Sequence, residues 1–236
     1  MHKKQEIEIL IKTLSSNPYI IEFFDNVLSN SVLLENLFKI EQSAKITKDK
    51  ILSDRFVLQF TKTSDIKLDT ILNFYERYKF PLDRIPIAKE YFNRIDCNTI
   101  IFGIEADNNK IRYKLYFEYS NYNKILGIKW GDNKSELTYY NKIFKIPENT
   151  PKFILDRNHN IIGIYDITNE NNKRNAFDFM FDSKTTYLKD ISKDILSITN
   201  QNINCLTHLK WFDLRHFTGG IDNKYFNIYF VVYWKI

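Results

Sequence analysis

Residues 39–60 hold two short segments in which polar and apolar residues alternate, one on each side of a polar turn. Alternation with a period of two is typical of a β-strand whose two faces differ. One face of the first segment carries Glu41, Ser43 and Lys45. One face of the second carries Arg55, Val57 and Gln59, and its other face carries Phe56, Leu58 and Phe60. The pattern therefore predicts a β-hairpin with a polar side and an apolar side.

Helices are predicted before and after this hairpin. An apolar stripe at helical spacing runs from Glu6 to Leu14, and Pro18 opens a second apolar run. Asp65 is expected to cap a helix that Pro81 ends, and a shorter helix is expected around Ile87 to Ile95.

From Cys97 onward the pattern is that of strands joined by turns rich in Asn, Asp and Gly. Three hairpins are predicted within 100–119, 124–144 and 151–168, the last turning at Asn158 to Asn160. Asn175 to Phe181 and Tyr187 to Ser197 are predicted as helices, and a fifth hairpin closes the chain.

Five hairpins give ten strands, and ten antiparallel strands can close into a barrel without an exposed edge. We therefore predict an α+β fold: a ten-stranded antiparallel β-barrel of repeated hairpins with a solvent-filled lumen, surrounded by helices. Residues 1–236 are expected to form one domain, with the helices of 1–37 packed on the barrel. The alternative is an open sheet with its apolar face on helices and its polar face in solvent.

Composition narrows the setting. The 236 residues include 19 Phe and 15 Tyr, enough for a sizeable core, and the net charge of +5 can steer an anionic partner. The two cysteines lack metal or disulfide spacing, and the N-terminal residues do not resemble a signal peptide. We expect a cytoplasmic protein that binds neither membrane nor nucleic acid.

No motif for a phosphate-binding loop, dinucleotide binding, zinc proteolysis or a hydrolase nucleophile occurs in the sequence. The predicted lumen instead combines cations, which bind phosphate oxygens, with tyrosine rings, which shield a carbocation, and carboxylates, which accept a proton. This lumen set is Glu41, Arg55, Lys114, Tyr116, Glu136, Tyr140, Tyr165, Tyr229 and Tyr233. Glu41 and Arg55 can also be read as an ordinary ion pair between strands.

The segment KIEQSAKITKDKILSDRF resembles the stretch around the catalytic glutamate of the cyanobactin peptide prenyltransferases. FGIEADNNKIRYKLYFEY, ILGIKWGDNKSELTYY and FNIYFVVYWKI resemble hairpins of that family in the same order. The resemblance covers most of 40–236, and it implies the ten-stranded αββα barrel of the aromatic prenyltransferases.

The resemblance implies transfer of a dimethylallyl group from dimethylallyl diphosphate to a side chain of a peptide acceptor, with Mg²⁺ bound alongside the diphosphate and no metal site in the protein itself. Glu41 would orient or deprotonate the acceptor. Diphosphate would be bound by Arg55, Lys114 and Tyr116, with Lys129 and Lys235 as further cations. The carbocation would be shielded by Tyr140, Tyr165, Tyr229 and Tyr233.

The chain departs from the family pattern in several ways. Glu118, Glu136 and Thr138 stand where basic residues are expected, and the connections between the middle hairpins are short. Outer residues such as Leu137 are therefore expected to be exposed and available for a homodimer contact. Two alternatives stay open: a prenyltransferase for a small aromatic compound or free amino acid, and a non-catalytic barrel that binds peptides.

Overall fold

The structure, a computed structural model, describes residues 3–107, 110–119, 124–171, 176–181, 188–199, 201, 214–220 and 225–234. The fold is α+β, with antiparallel strands and helices. In the described part of the chain, the helices are α1 (Lys3–Leu14), α2 (Pro18–Leu28), α3 (Ser31–Asn36), α4 (Leu68–Glu76), α5 (Ile85–Asn93), α6 (Lys152–Leu155) and α7 (Leu188–Thr199).

Within the same ranges there are eleven strands, one more than predicted. The predicted turn of the first hairpin contains a two-residue strand, and β9 replaces the first strand expected in 151–168. They are β1 (Leu37–Thr47), β2 (Ile51–Leu52), β3 (Arg55–Thr61), β4 (Cys97–Asp107), β5 (Lys110–Tyr119), β6 (Lys124–Gly131), β7 (Lys134–Ile143), β8 (Ile161–Asn169), β9 (Ala176–Phe181), β10 (Leu214–Gly220) and β11 (Tyr225–Trp234).

The chain divides into two compact units, and β1, β7 and β11 each contribute to both. The first unit comprises residues 1–40, 54–138 and 233–236, and the second comprises 41–53 and 139–232. In the first unit the strand order is β1, β3, β4, β5, β6 and β7. In the second unit the order is β7, β8, β9, β10, β11, β1 and β2.

The apolar face of the first unit lies under helices, as the alternation predicts. Phe24 of α2 packs edge to face on Phe56, with ring centroids 5.4 Å apart. Phe102 of β4 contacts Phe60 at 4.7 Å and the ring of Tyr75 from α4 at 4.7 Å. Such aromatic pairs add to the free energy of burying their apolar surface. The amphipathic helices therefore fix one side of this sheet.

Tyr75 also connects this core to the opposite side of the sheet. Its buried hydroxyl donates a hydrogen bond of 2.7 Å to the backbone carbonyl of Lys114 in β5. Burial raises the pKa of Tyr75 well above its usual value, so the hydroxyl keeps its proton and remains a donor. The backbone that carries Lys114 is thus held from the helical side.

The second unit has its own apolar core, formed by strands and by α6 and α7. Side chains at alternate positions of β1, β8, β9 and β11 meet there with those of the two helices. The fully described members are Ala44, Ile46, Phe153, Ile154, Ile164, Phe179, Phe181, Ile195, Phe226, Ile228 and Phe230.

Two predictions for this part of the chain are wrong. Asn175 to Phe181 was expected to be helical, but Ala176–Phe181 is strand β9, paired with β8 so that Ile164 lies opposite Phe179. The segment alternates between phenylalanine and other residues, with Phe at 177, 179 and 181. This period of two fits a strand paired with β8 and does not fit a helix. The predicted hairpin of 151–168 is also absent, because Pro151 precedes the short helix α6 and only β8 is a strand.

Two smaller predictions also fail. Asp65 does not cap a helix: α4 begins at Leu68 after Lys67, whose backbone is extended and whose side chain makes no capping bond. Leu137 is 5% exposed, not open to solvent. None of the helices in the described ranges combines the length and the apolar run needed to cross a bilayer.

Candidate functional site

Strand register brings several of the predicted site residues onto one face of the first unit. Arg55 of β3 lies opposite Glu105 of β4. Lys114 of β5 lies opposite Gly103 on one side and Lys129 of β6 on the other. Because side chains that are two residues apart share a face, Glu105 and Gly103 present the same side of β4. Arg55, Glu105, Lys114 and Lys129 therefore share the polar face.

This polar face is buried although it carries charge. Arg55 is 5% exposed, and Glu105 and Lys114 are each 8% exposed. Burying a charged group is costly unless it is paired and hydrogen-bonded. The open-sheet alternative, in which the polar face meets solvent, does not fit these three residues.

A single carboxylate oxygen pairs with two cations in this face. Lys114 Nζ lies 2.9 Å from Oε2 of Glu105, and Arg55 Nε lies 3.3 Å from the same oxygen. Burial by itself raises the pKa of Glu105, but Lys114, Arg55 and Arg112 outweigh burial and hold that pKa well below its usual range. Glu105 is therefore an anion at any physiological pH. We call Arg55, Glu105 and Lys114 the charge cluster.

Two glycines make room beside the charge cluster. A Cβ atom on Gly127 would lie 2.5 Å from Cε1 of Tyr116, so the tyrosine ring covers the bare backbone of β6. A Cβ atom on Gly103 would lie 3.1 Å from Cβ of Lys114. Lys129 Nζ lies 5.9 Å from the centroid of the Tyr116 ring, within the range of a cation–π contact. Tyr116, Lys114 and Lys129 thus form one neighbourhood, and their predicted role in diphosphate binding stays a prediction.

Strand β7 adds two polar side chains to this neighbourhood. The turn before it consists of two residues, Asp132 and Asn133, with φ of 51° and 58°. In such a tight hairpin, Lys129 lies opposite Glu136 and Gly127 opposite Thr138. Among the described residues, Oε1 of Glu136 and Oγ1 of Thr138 are buried without a hydrogen-bond partner. Both oxygens are therefore available to a ligand, because buried polar atoms normally have a partner.

The predicted catalytic residue, Glu41, belongs to the second unit. It is 2% exposed and lies in β1. The next residue, Gln42, points to the other face, where its amide donates a 3.1 Å hydrogen bond to the carbonyl of Ser53. Lys45, which shares the face of Glu41, lies over the ring of Tyr225 at 5.1 Å. The polar face predicted for the first strand is thus present and, at Glu41 and Ser43, buried.

The predicted tyrosines divide between the two units. Tyr165 of β8 lies opposite Asp178 of β9, and both side chains are buried. Tyr140 and Tyr229 are half-buried. All four residues belong to the second unit. Tyr233 belongs to the first unit, where burial and the nearby carboxylate of Glu6 raise its pKa. Lys235 lies outside the described residues, so its predicted role stays a prediction.

In the part of the chain that the structure describes, the donor set does not fit a magnesium ion held by the protein's own carboxylates. Within the described ranges, no group of three or more His, Cys, Asp or Glu side chains could hold a metal ion. In the charge cluster itself, the carboxylate oxygen is taken by two cations. The predicted Mg²⁺, bound alongside a diphosphate, stays a prediction.

Sequence reasoning missed Glu105, which holds the charge cluster together. The residue lies two positions after Gly103, so the alternation alone places it on the polar face. Its role depends on register, because only the pairing of β3 with β4 puts Arg55 opposite it. The arrangement as a whole offers buried cations, a tyrosine and unpartnered oxygens, which suits an anionic ligand with a polar partner.

Comparison with known proteins leaves the family open. No protein-family model matches the chain, and no curated protein matches it. The similarity to the cyanobactin peptide prenyltransferases thus stays a prediction from the sequence.

The charge cluster predicts acid sensitivity. Because the folded pKa of Glu105 is depressed, the stabilisation it gives is complete above its unfolded pKa, about 4.3, and is lost as pH falls below that value. Glu105→Gln should lower the free energy of unfolding at pH 7 by roughly 3 kcal/mol and flatten its decline below about pH 5. Urea unfolding at a series of pH values measures both. Glu90→Gln, at an exposed position of α5, is the control and should behave like wild type. The prediction would be refuted if the free energy of unfolding declined equally steeply with falling pH in wild type and in Glu105→Gln.

The glycine contact predicts a steric penalty. Gly127→Ala should destabilise the protein by about 1–3 kcal/mol, because its methyl group and the ring of Tyr116 cannot occupy the same space. The penalty should shrink when Tyr116→Leu is also present. Gly163→Ala is a matched control, since its Cβ would be no closer than 3.4 Å to any neighbour. Similar losses at Gly127 and Gly163, measured by urea unfolding, would contradict the described position of Tyr116.

Proposed function

We propose that this protein is a prenyltransferase that moves a dimethylallyl group from dimethylallyl diphosphate to a side chain of a peptide. The observation that supports it most is the polar face of the first unit, where the buried Arg55, Lys114 and Tyr116 lie with the partly buried Lys129. Guanidinium and ammonium groups bind phosphate oxygens by charge-assisted hydrogen bonds, which are stronger where water is excluded. The resemblance described above supplies the reaction.

In the proposed step, the bond between the allylic carbon and the diphosphate oxygen breaks, and its electron pair leaves with the diphosphate. Arg55, Lys114 and Lys129 stabilise the negative charge that develops on the leaving group. The nucleophilic atom of the acceptor donates an electron pair to the allylic carbon and forms the new bond. Its proton is accepted by a carboxylate, for which we propose Glu41.

The tyrosines and the β7 oxygens complete the proposal. Tyr140, Tyr165, Tyr229 and Tyr233 would surround the allylic cation with aromatic rings, which attract a desolvated cation by about 2 kcal/mol. The unpartnered Oε1 of Glu136 can accept a hydrogen bond from an N–H or O–H group of the acceptor. These roles need the acceptor and the diphosphate to share one enclosed space.

We therefore also propose that the ten longer strands, without the two-residue β2, close into a single barrel with a solvent-filled lumen. The buried charge of the first unit and the buried Glu41, Tyr165 and Asp178 of the second are consistent with an enclosed polar space. A closed single domain of this length has an expected radius of gyration of about 17–18 Å. Solution X-ray scattering measures this value, and a clearly larger radius for a monodisperse monomer would contradict closure.

The reaction itself is tested with dimethylallyl diphosphate, Mg²⁺ and a panel of peptides, free amino acids and small phenols. Mass spectrometry should show the added mass of one isoprene unit on a peptide. Transfer only to small phenols or amino acids would replace the peptide with a small acceptor. No transfer to any acceptor, even though the protein binds inorganic pyrophosphate, would leave a non-catalytic binding protein and refute the enzyme proposal.

Two variants separate the proposed roles. Glu41→Gln should lower turnover at least a hundredfold and leave pyrophosphate affinity within about twofold, because proton acceptance by a side chain contributes about 10²–10⁴ in rate. Lys114→Met should instead weaken pyrophosphate binding, while Lys89→Met, at an exposed position of α5, should not. Full activity of Glu41→Gln would remove Glu41 from the mechanism.

A further inference from the structure

We propose that Glu105 sets the strength of the anion site by competing, as a built-in anion, with the diphosphate for Arg55 and Lys114. This inference rests on the proposed function, since the competing ligand is the diphosphate of the prenyl donor and product. Glu105 belongs to neither the diphosphate-binding nor the catalytic residues predicted from the sequence.

Two cations converge on Oε2 of Glu105. Lys114 Nζ approaches it at 2.9 Å and Arg55 Nε at 3.3 Å, and all three side chains are buried. The carboxylate therefore holds both cations in place and neutralises one of their two charges. An incoming diphosphate meets a charge cluster with a net charge of +1 where the two cations alone would present +2.

The competition between Glu105 and the diphosphate is strong because all three side chains of the charge cluster are buried. Charges a few ångströms apart interact more strongly in a protein interior than in water, and salt screens them less. A diphosphate that binds Arg55 and Lys114 is repelled by the negative charge of Glu105, with which it shares these two cations. This repulsion keeps the affinity for diphosphate moderate, which helps the diphosphate product to leave after transfer.

The position of Lys129 on the same face supports the proposed competition between Glu105 and the diphosphate. Lys129 lies opposite Lys114 in the register and over the Tyr116 ring. It adds a cation to the side of Lys114 away from Glu105, because β4 and β6 flank β5 on opposite sides. A diphosphate can therefore bridge Lys114 and Lys129 while Glu105 stays in place.

The test is calorimetric titration of inorganic pyrophosphate into the full chain. Glu105→Gln keeps the shape of the side chain and an oxygen that accepts hydrogen bonds, but it removes the charge. We expect it to bind pyrophosphate at least about tenfold more tightly than wild type. Glu105→Asp keeps the charge and should stay within about threefold of wild type. Glu90→Gln, which makes the same change in net charge at an exposed position, should have no effect.

Unchanged or weaker binding by folded Glu105→Gln would overturn the inference and make Glu105 a structural anchor only. Equal tightening by Glu90→Gln would also overturn it, because a general effect of net charge would then suffice. If Glu105→Gln does not fold, the double variant Glu105→Gln with Lys114→Met restores the net charge of +1 to the charge cluster. Its affinity should then be no higher than that of wild type, and a higher affinity would refute the competition.

The pyrophosphate titration and the prenyl-transfer assay test different proposals, and either can fail without the other. Tighter pyrophosphate binding by Glu105→Gln without transfer by the wild type would keep the anion site and remove the prenyltransferase proposal. Transfer by the wild type with unchanged pyrophosphate affinity in Glu105→Gln would keep the enzyme and remove the competition. With both supported, slower product release in Glu105→Gln should appear as an initial burst of prenylated product before a lower steady rate.

Discussion

Two cations that converge on one buried carboxylate oxygen are the constraint on which the polar side of the first unit depends. Arg55, Glu105 and Lys114 come from three adjacent strands, so the contact requires β3, β4 and β5 to pair in one register. A shift by one residue would turn each of these side chains to the opposite face. The ion contacts and the strand register therefore support each other.

The same register determines what the other face contains. Phe56, Phe102 and Leu115 alternate with the charged positions, and they are buried against or beside the aromatic side chains of α2 and α4. Tyr75 joins the two sides, since its ring packs in the apolar core while its hydroxyl binds the backbone of Lys114. Packing on the helical side thus positions a cation on the polar side.

Much of this was predictable from the amino-acid sequence, because side-chain alternation is a local property. The polar and apolar faces of β3 and the shared face of Lys114 and Tyr116 follow from spacing within single strands, whereas Lys129 joins them through the pairing of β5 with β6. Glu105 was missed because its role depends on which strand lies beside β4, a long-range property. β9 was misread because a short apolar run fits either a strand or a buried helix segment until its pairing is known. Asp65 was wrongly predicted to cap the helix, because α4 begins three residues later, at Leu68, and Lys67 occupies the capping position.

Burial and charge together explain why this polar face is a better candidate for a site than for a stabilising device. A buried ion pair contributes little net stability compared with apolar residues of the same size, because both ions lose their hydration. Glu136 and Thr138 add unpartnered buried oxygens to the same side of the sheet. Gly103 and Gly127 leave the strand surface bare where Lys114 and Tyr116 lie. A purely structural face would gain more from apolar side chains at these positions, so the retention of cations, an anion and open acceptors is most simply explained by a ligand that uses them.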